Sequence, residues 1–78
     1  MDKRYHYCRV QFEAIQKRYV YLAAPEIQAG DWVLAPFGPE NTVQLGFVTD
    51  SGNFTAENAP WPVEQTKTIF CKTEAPER

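Results

Sequence analysis

Histidine and cysteine are scarce in this chain, and their scarcity limits the chemistry that it can support. The 78 residues include one histidine, His6, and two cysteines, Cys8 and Cys71, which stand near opposite ends. Metal sites need several such ligands at short spacing, so we expect no metal. On a strand, His6 and Cys8 would lie roughly 6–7 Å apart, too far for a base to hydrogen-bond a nucleophile. We therefore expect no catalytic residues, no cofactor and two free, mostly buried thiols, with a disulfide as the alternative if the first and last strands are neighbours.

Long apolar runs are missing as well. Asp2, Lys3 and Arg4 are followed by no apolar stretch, which argues against a secretory leader. No segment approaches the ~20 apolar residues that a membrane-spanning helix needs. We therefore expect a cytoplasmic protein with one small domain over residues 1–78, whose ends at 1–4 and 73–78 are frayed.

Lysine and arginine are absent from residues 19–66, a stretch that carries six acidic residues. The first 18 residues hold five cations against two acids. A protein that follows a phosphate backbone needs several cations on one face, which only the first strand and its turn could supply. The acidic middle of the chain would repel nucleic acid and would attract a basic partner.

Hydrophobic periodicity predicts a mainly β fold. Side chains alternate between apolar and polar along the first segment, which is typical of a half-buried strand, and shorter β-rich runs follow it. Five short strands at this spacing predict a small antiparallel five-stranded barrel or a curved sheet. The predicted strands are 4–15, 19–23, 32–35, 43–49 and 67–72, with turns or loops at 16–18, 39–42 and 50–53.

The predicted core uses one face of each strand. Ile27 is expected to be the apolar plug of the connection before the third strand. The connection at 25–30 is expected to contain one helical turn, and residues 55–58 are expected to form a short turn capped by Thr55. Trp61, between two prolines, is expected to be part of a lid over the open end. The predicted core residues are Cys8, Val10, Phe12, Val33, Leu45, Phe47 and Ile69.

The segment from Gly30 to Gly38 is the most specific part of the sequence. It begins with a glycine-aspartate turn, continues as an apolar strand and ends at a Pro-Phe-Gly corner. With the strands around it, this pattern resembles the N-terminal DNA-binding domains of the bacterial primosomal helicases (primosomal protein N-prime) over residues 8–71. The resemblance implies a small β-barrel-like module that holds the 3′ end of a DNA strand. The matching residues are Gly30, Asp31, Val33, Pro36, Phe37, Gly38, Gly46, Val48, Lys67 and Ile69.

The chain differs from that family at two places. The second strand reads Tyr19, Val20, Tyr21, whereas the family tends to have an aromatic-Asp-Tyr triplet there that its pocket uses. Glu40 and its neighbours replace the basic residues that follow Pro-Phe-Gly in the family. The resemblance therefore implies the fold more strongly than the activity.

Aromatic side chains of a small barrel serve either as a binding surface or as core. Packing in the core is the alternative for at least two of these rings, and a solvated turn is the alternative for Lys17 and Arg18. Asp31 is expected to hydrogen-bond within its own turn. A protein partner is expected to contact Tyr19, Tyr21, Trp32, Phe37, Glu40, Asp50 and Trp61. A nucleic acid would instead contact Arg4, Lys17, Arg18 and Tyr21.

The sequence supports three functional hypotheses. The first is a non-catalytic binding module that acts through a protein partner with a basic surface. The second is a special case of the first, an acidic decoy from a mobile element that occupies a nucleic-acid-binding protein. The third is a binder of DNA or RNA ends, as the resemblance implies. No hypothesis involves a membrane, and the oligomeric state stays open.

Overall fold

Five strands form one curved sheet in the computed structural model, which describes residues 3–13, 15 and 17–76. Neighbouring strands are antiparallel, and their order across the sheet is β2-β1-β4-β3-β5. Within the described residues, the one helical element is a 3-10 turn at Val63–Gln65, and no helix is long and apolar enough to cross a membrane. The mainly β prediction is confirmed. The strands are β1 (Arg4–Phe12), β2 (Arg18–Leu22), β3 (Trp32–Phe37), β4 (Thr42–Thr55) and β5 (Cys71–Thr73).

The sheet curves but does not close into a barrel. A gap remains between β2 and β3, and no strand among the described residues fills it. Residues 67–70 contact both strands at one end of this gap. The Leu22 N–H donates to the Lys67 carbonyl (2.9 Å), and the Leu22 carbonyl accepts from the Ile69 N–H (2.8 Å). The Phe70 N–H donates to the Leu34 carbonyl of β3 (2.9 Å). Of the two predicted architectures, the curved sheet is the one observed.

The predicted β1–β2 hairpin is present, and β1 is also paired along its other edge with β4. Ala14 and Gln16, which the sequence placed at the end of the first strand and in the turn, lie outside the described residues. So do residues 1–2 and 77–78 of the predicted frayed ends. The last strand is shorter than predicted. Residues 67–70 divide their backbone hydrogen bonds between β2 and β3 and do not form a continuous ladder with either strand.

The predicted turn at residues 50–53 is wrong. These residues belong to β4, which continues to Thr55. Asp-Ser-Gly-Asn is a turn-like composition, but β1 pairs beside it and supplies a ladder, with Cys8 opposite Ser51 and Tyr7 opposite Gly52. Arg9 is opposite Asp50 and Val10 is opposite Val48, so Thr49 is the extra residue of a β-bulge that bends the strand.

The core lies on the concave, inner face of the sheet. Cys8, Val10 and Phe12 of β1 are buried there as predicted, together with Val33 and Ile69. Ile27 is the buried plug of the connection between β2 and β3, also as predicted. The core further includes Tyr21, Ala35 and Val48.

The prediction that Leu45 and Phe47 are core residues is wrong. Both are half-buried on the outer face, and the Phe47 ring packs edge-on against Trp32, with 5.1 Å between centroids. The inner face of β4 is instead occupied by Gly46 and Val48. A Cβ at Gly46 would overlap the Val10 side chain, so glycine is needed for the close approach of β1 and β4.

The segment after β4 covers the outer face of β1 rather than an open barrel end. The turn predicted at residues 55–58 is present, with the Asn58 N–H donating to the Thr55 carbonyl (3.1 Å). The Tyr7 hydroxyl donates to the Trp61 carbonyl (2.8 Å), and the Tyr7 ring packs edge-on against Phe54. Tyr7 is therefore buried on the face opposite to the core.

We predict that Phe12→Ala destabilises the fold much more than Phe47→Ala does. Phe12 is 2% exposed and packs among three other rings, so its truncation should cost about 3–5 kcal/mol. That loss is close to the whole stability expected of a domain of this size. Urea unfolding followed by circular dichroism measures both variants. Equal midpoints for the two would contradict the assignment of the faces of β4.

Candidate functional site

The gap between β2 and β3 is open where residues 67–70 do not fill it. Backbone N–H and C=O groups alternate in direction along a strand. Because both groups of Leu22 point away from β1, those of Val20 and Arg18 point the same way, into the gap. The described part of the chain contains no strand that pairs with β2 there.

The facing edge belongs to β3. β5 pairs only with residues 32–34, so β3 has no neighbour on this side from Pro36 onward. Proline has no N–H and is tolerated on such an edge. The Pro36 carbonyl is satisfied from across the gap, because the Tyr21 hydroxyl donates to it at 2.6 Å. Tyr21 therefore joins the two edges and forms the floor between them.

A groove of about 560 Å³ runs above this floor, and we call it the seam groove. Its volume is in the range of binding sites for small ligands. Aromatic rings and two cations dominate its lining, with backbone from both edges and one amide side chain. The lining residues are the aromatic Tyr19, Tyr21, Phe37 and Trp61, the cationic Arg18 and Lys67, and Val20, Gly38 and Gln65.

Three aromatic rings of the seam groove, those of Tyr19, Tyr21 and Phe37, are packed in a cluster that continues into the core through Phe12. Tyr19 and Phe37 meet edge-on across the gap, with 5.4 Å between centroids, and Phe12 lies beneath Phe37 at 5.1 Å. Tyr21 is 4% exposed and is core, whereas Tyr19 is 37% exposed and Trp61 is 53% exposed. Tyr19 and Trp61 are therefore the rings most available to a ligand.

The cations of the seam groove have no acidic partner in its lining. The Lys67 ammonium donates to the Gly38 carbonyl at 2.6 Å, and Arg18 is exposed. Gly38 has φ +77, which glycine adopts readily, and its carbonyl also accepts from the Asn41 N–H (3.1 Å). No carboxylate is among the residues that line the groove.

The structure brings together five of the residues that the sequence proposed as binding residues: Arg18, Tyr19, Tyr21, Phe37 and Trp61. It does not bring the others to the same place.

Trp32 lies on the outer face against Phe47. Asp50 is also outside the groove, and its carboxylate is 3.8 Å from the Arg9 guanidinium. Glu40 is exposed in the β3–β4 turn, Arg4 is at the far end of β1, and Lys17 is exposed but does not line the groove.

Four lining residues were not predicted as site residues: Val20, Gly38, Gln65 and Lys67. Lys67 and Gly38 are among the positions that carry the resemblance, so a signal for them was present in the pattern. Gln65 has no such signal, because it reaches the groove only through the course of the chain around the 3-10 turn.

Asp31 hydrogen-bonds within its own turn, as expected. Its carboxylate accepts from the Gln28 N–H (2.8 Å) and lies 3.5 Å from the Lys72 ammonium. The Gln28 hydrogen bond first, and then the charge of Lys72, lower the pKa of Asp31. Gly30 begins the turn with φ +98. Asp31 thus has a structural role in the connection that precedes β3.

His6 and Cys8 both contact the Ile27 carbonyl. The His6 Nε2 lies 2.6 Å from that oxygen, and the Cys8 Sγ lies 3.6 Å from it. The other ring nitrogen, Nδ1, lies 2.8 Å from the Asn53 amide oxygen. Both side chains therefore hold the β2–β3 connection on the sheet. Among the described residues there is no group of three or more His, Cys, Asp or Glu side chains that could bind a metal.

The chain matches no protein-family model, no curated protein and no solved structure. The resemblance to the primosomal helicase domains therefore stays a prediction from the sequence.

We predict that only one of the two cysteines reacts quickly in the folded protein. Both are free thiols, but Cys71 is exposed and Cys8 is buried. Burial first, and then the charge of Asp31, raise the pKa of Cys8 to about 11, so little thiolate forms at neutral pH. A thiol-reactive dye should label one cysteine in buffer and two in urea. Fast labelling of a Cys71→Ser variant would contradict this.

We predict that Tyr21→Phe destabilises the fold by about 1–3 kcal/mol, because it leaves the buried Pro36 carbonyl without its donor. Tyr19→Phe is the matched control. It removes a hydroxyl from the same groove, but the bond that joins the two edges comes from Tyr21. Urea midpoints measure both. A Tyr21→Phe midpoint equal to that of Tyr19→Phe would contradict the role of this bond.

The same bond predicts a pH dependence. Burial first, and then Tyr19, raise the pKa of Tyr21 from 10.0 to about 12. A raised pKa means that the folded state holds the proton more tightly than the unfolded state. The stabilisation is complete below pH ~10 and is lost as the pH rises toward about 12. The stability of Tyr21→Phe should therefore fall less than that of the parent protein over this range.

Proposed function

We propose that this chain is a non-catalytic binding module whose seam groove takes the terminal nucleotide of a nucleic-acid strand. The observation that carries the proposal is the lining of the groove, which combines exposed aromatic rings with two cations and no carboxylate. Rings that stack on bases, next to cations that meet phosphates, are the common elements of single-strand binding sites.

The number of cations limits how much of a strand is bound. Arg18 and Lys67 are the cations of the groove, and Arg4 and Lys17 are outside it. Two cations neutralise about two phosphates, which is few for a protein that follows a strand. The groove volume of about 560 Å³ likewise suits one or a few nucleotide groups rather than a long segment of the strand. The site is therefore matched to a strand end.

The resemblance supports the same proposal. The Tyr19-Val20-Tyr21 segment, which stands where the primosomal domains have their pocket triplet, lines the seam groove. Gly38 and Lys67, which match the family pattern, line it too. Val20 stands where the family has an acid, so the ligand contacts of this groove differ from those that the family's acid makes.

The unpaired edge of β2 favours a second candidate function, the binding of a protein partner. An extended peptide could add as a strand beside Arg18 and Val20, whose N–H and C=O groups point into the groove. In that case Glu40 and Asp50, which lie outside the groove, would raise the association rate of a basic partner without contacting it in the final complex.

We predict that a short single-stranded oligonucleotide binds with weak salt dependence. For two phosphates the slope of log K against log salt should be about −1.4. Fluorescence anisotropy of an internally labelled strand measures it between 50 and 300 mM salt. Trp61→Ala should weaken binding about tenfold, through the loss of one stacked ring. Trp32→Ala is the control, since Trp32 is on the outer face.

The protein contains two tryptophans, so Trp32→Phe leaves Trp61 as the single emitter. Its fluorescence should be quenched when a base stacks on it. If no oligonucleotide binds at micromolar concentration, and an extended peptide protects the Val20 amide from hydrogen exchange, the protein-partner candidate replaces the nucleic-acid proposal.

A further inference from the structure

We propose that the seam groove recognises a strand end that carries a terminal phosphate, rather than one that ends in a hydroxyl. This inference rests on the proposed function. The two features behind it are a groove that is closed at one end and a lining in which hydrogen-bond donors outnumber free acceptors.

The groove is closed at the end where Lys67 lies. Residues 67–69 occupy the edge of β2 at Leu22 through two backbone hydrogen bonds, of 2.9 and 2.8 Å. A strand that enters along Arg18 and Val20 therefore cannot continue past Leu22. Its last group stops in front of the Lys67 ammonium, which lines the groove at this end.

The acceptors on the β3 side are already in use. The Pro36 carbonyl accepts from the Tyr21 hydroxyl, and the Gly38 carbonyl accepts from both the Asn41 N–H and the Lys67 ammonium. A carbonyl oxygen has two lone pairs, so Gly38 has no capacity left.

Donors remain available in the same place. The Lys67 ammonium has three protons and one hydrogen bond to protein, the bond to Gly38. The Arg18 guanidinium makes no salt bridge within the described chain, and the Val20 N–H points into the groove. A site with free donors and two cations suits an end group that is rich in acceptors and negatively charged.

A terminal phosphate meets this requirement, because it brings three acceptor oxygens and up to two negative charges. A terminal hydroxyl would need an acceptor for its proton. The acceptors it would meet are the neutral Arg18 and Val20 carbonyls on the β2 edge, and it brings no negative charge to the two cations. The closed end of the groove is therefore matched to a phosphate.

The test uses the intact chain and four internally labelled oligonucleotides of one sequence. One has hydroxyls at both ends, one has a 3′ phosphate, one has a 5′ phosphate, and one has both. We expect a terminal phosphate at one end to tighten binding about tenfold, as one charge-assisted contact would. The 3′ and 5′ strands show which end enters. Equal affinity for all four would overturn this inference and leave the proposed function standing.

Lys67→Met should weaken the binding of every strand and should also remove the preference, so that phosphate-ended and hydroxyl-ended strands bind equally. Lys3→Met is the matched control, because Lys3 is exposed and its ammonium lies over the Tyr5 ring, away from the groove. If Lys67→Met does not fold, Gln65→Glu places a carboxylate at the groove without removing a core contact, and it should also abolish the preference. A preference that survives in both variants would overturn the inference. Failure of all four strands to bind would overturn the proposed function with it.

Discussion

The hydrogen bonds between Leu22 and residues 67–69 determine the shape of the whole molecule. In the strand order β2 and β5 are the two outer strands, and these bonds join the backbone of β2 to the segment that leads into β5. With them, the chain after the 3-10 turn returns to β2 and brings that edge opposite β3. The closure is partial because the segment is short and splits its bonds between two strands. The seam groove is the part of the gap that stays open, so the site and the incomplete closure have one cause.

The core and the groove share the same aromatic cluster. Phe12 and Tyr21 are buried, and Tyr19 and Phe37 continue the cluster to the surface. A domain of this size has little apolar surface to bury. Large aromatic rings can stabilise its core and line its groove at the same time. The Tyr21 hydroxyl, bonded to Pro36, holds the two edges at a fixed distance. A ligand in the groove would therefore meet walls that are already positioned, which lowers the cost of ordering them on binding.

Much of the fold could be predicted from the sequence, and the reasons differ between strands. In β1 the alternation is regular, so its buried face was identified correctly. In β4 the alternation of Val43, Leu45 and Phe47 was equally clear, but it marks the outer face, where Phe47 packs against Trp32 and Val43 is exposed. The inner face carries Gly46, whose missing side chain gives no hydrophobic signal. The groove was harder still, since Lys67 reaches Gly38 only through tertiary contacts across 29 positions of sequence.

The uneven charge of the chain fits a site that selects strand ends. Acidic residues such as Glu40 and Asp50 are exposed outside the groove, and the body of the domain between residues 19 and 66 has no cation. Such a surface repels the sides of a nucleic acid at distances up to about a Debye length, ~10 Å. Outside the groove, Arg9 and Lys72 lie beside carboxylates, whereas Arg18 and Lys67 have no acidic neighbour in the groove lining. For the proposed function, this distribution of charge favours binding at the end of a strand over binding along its length.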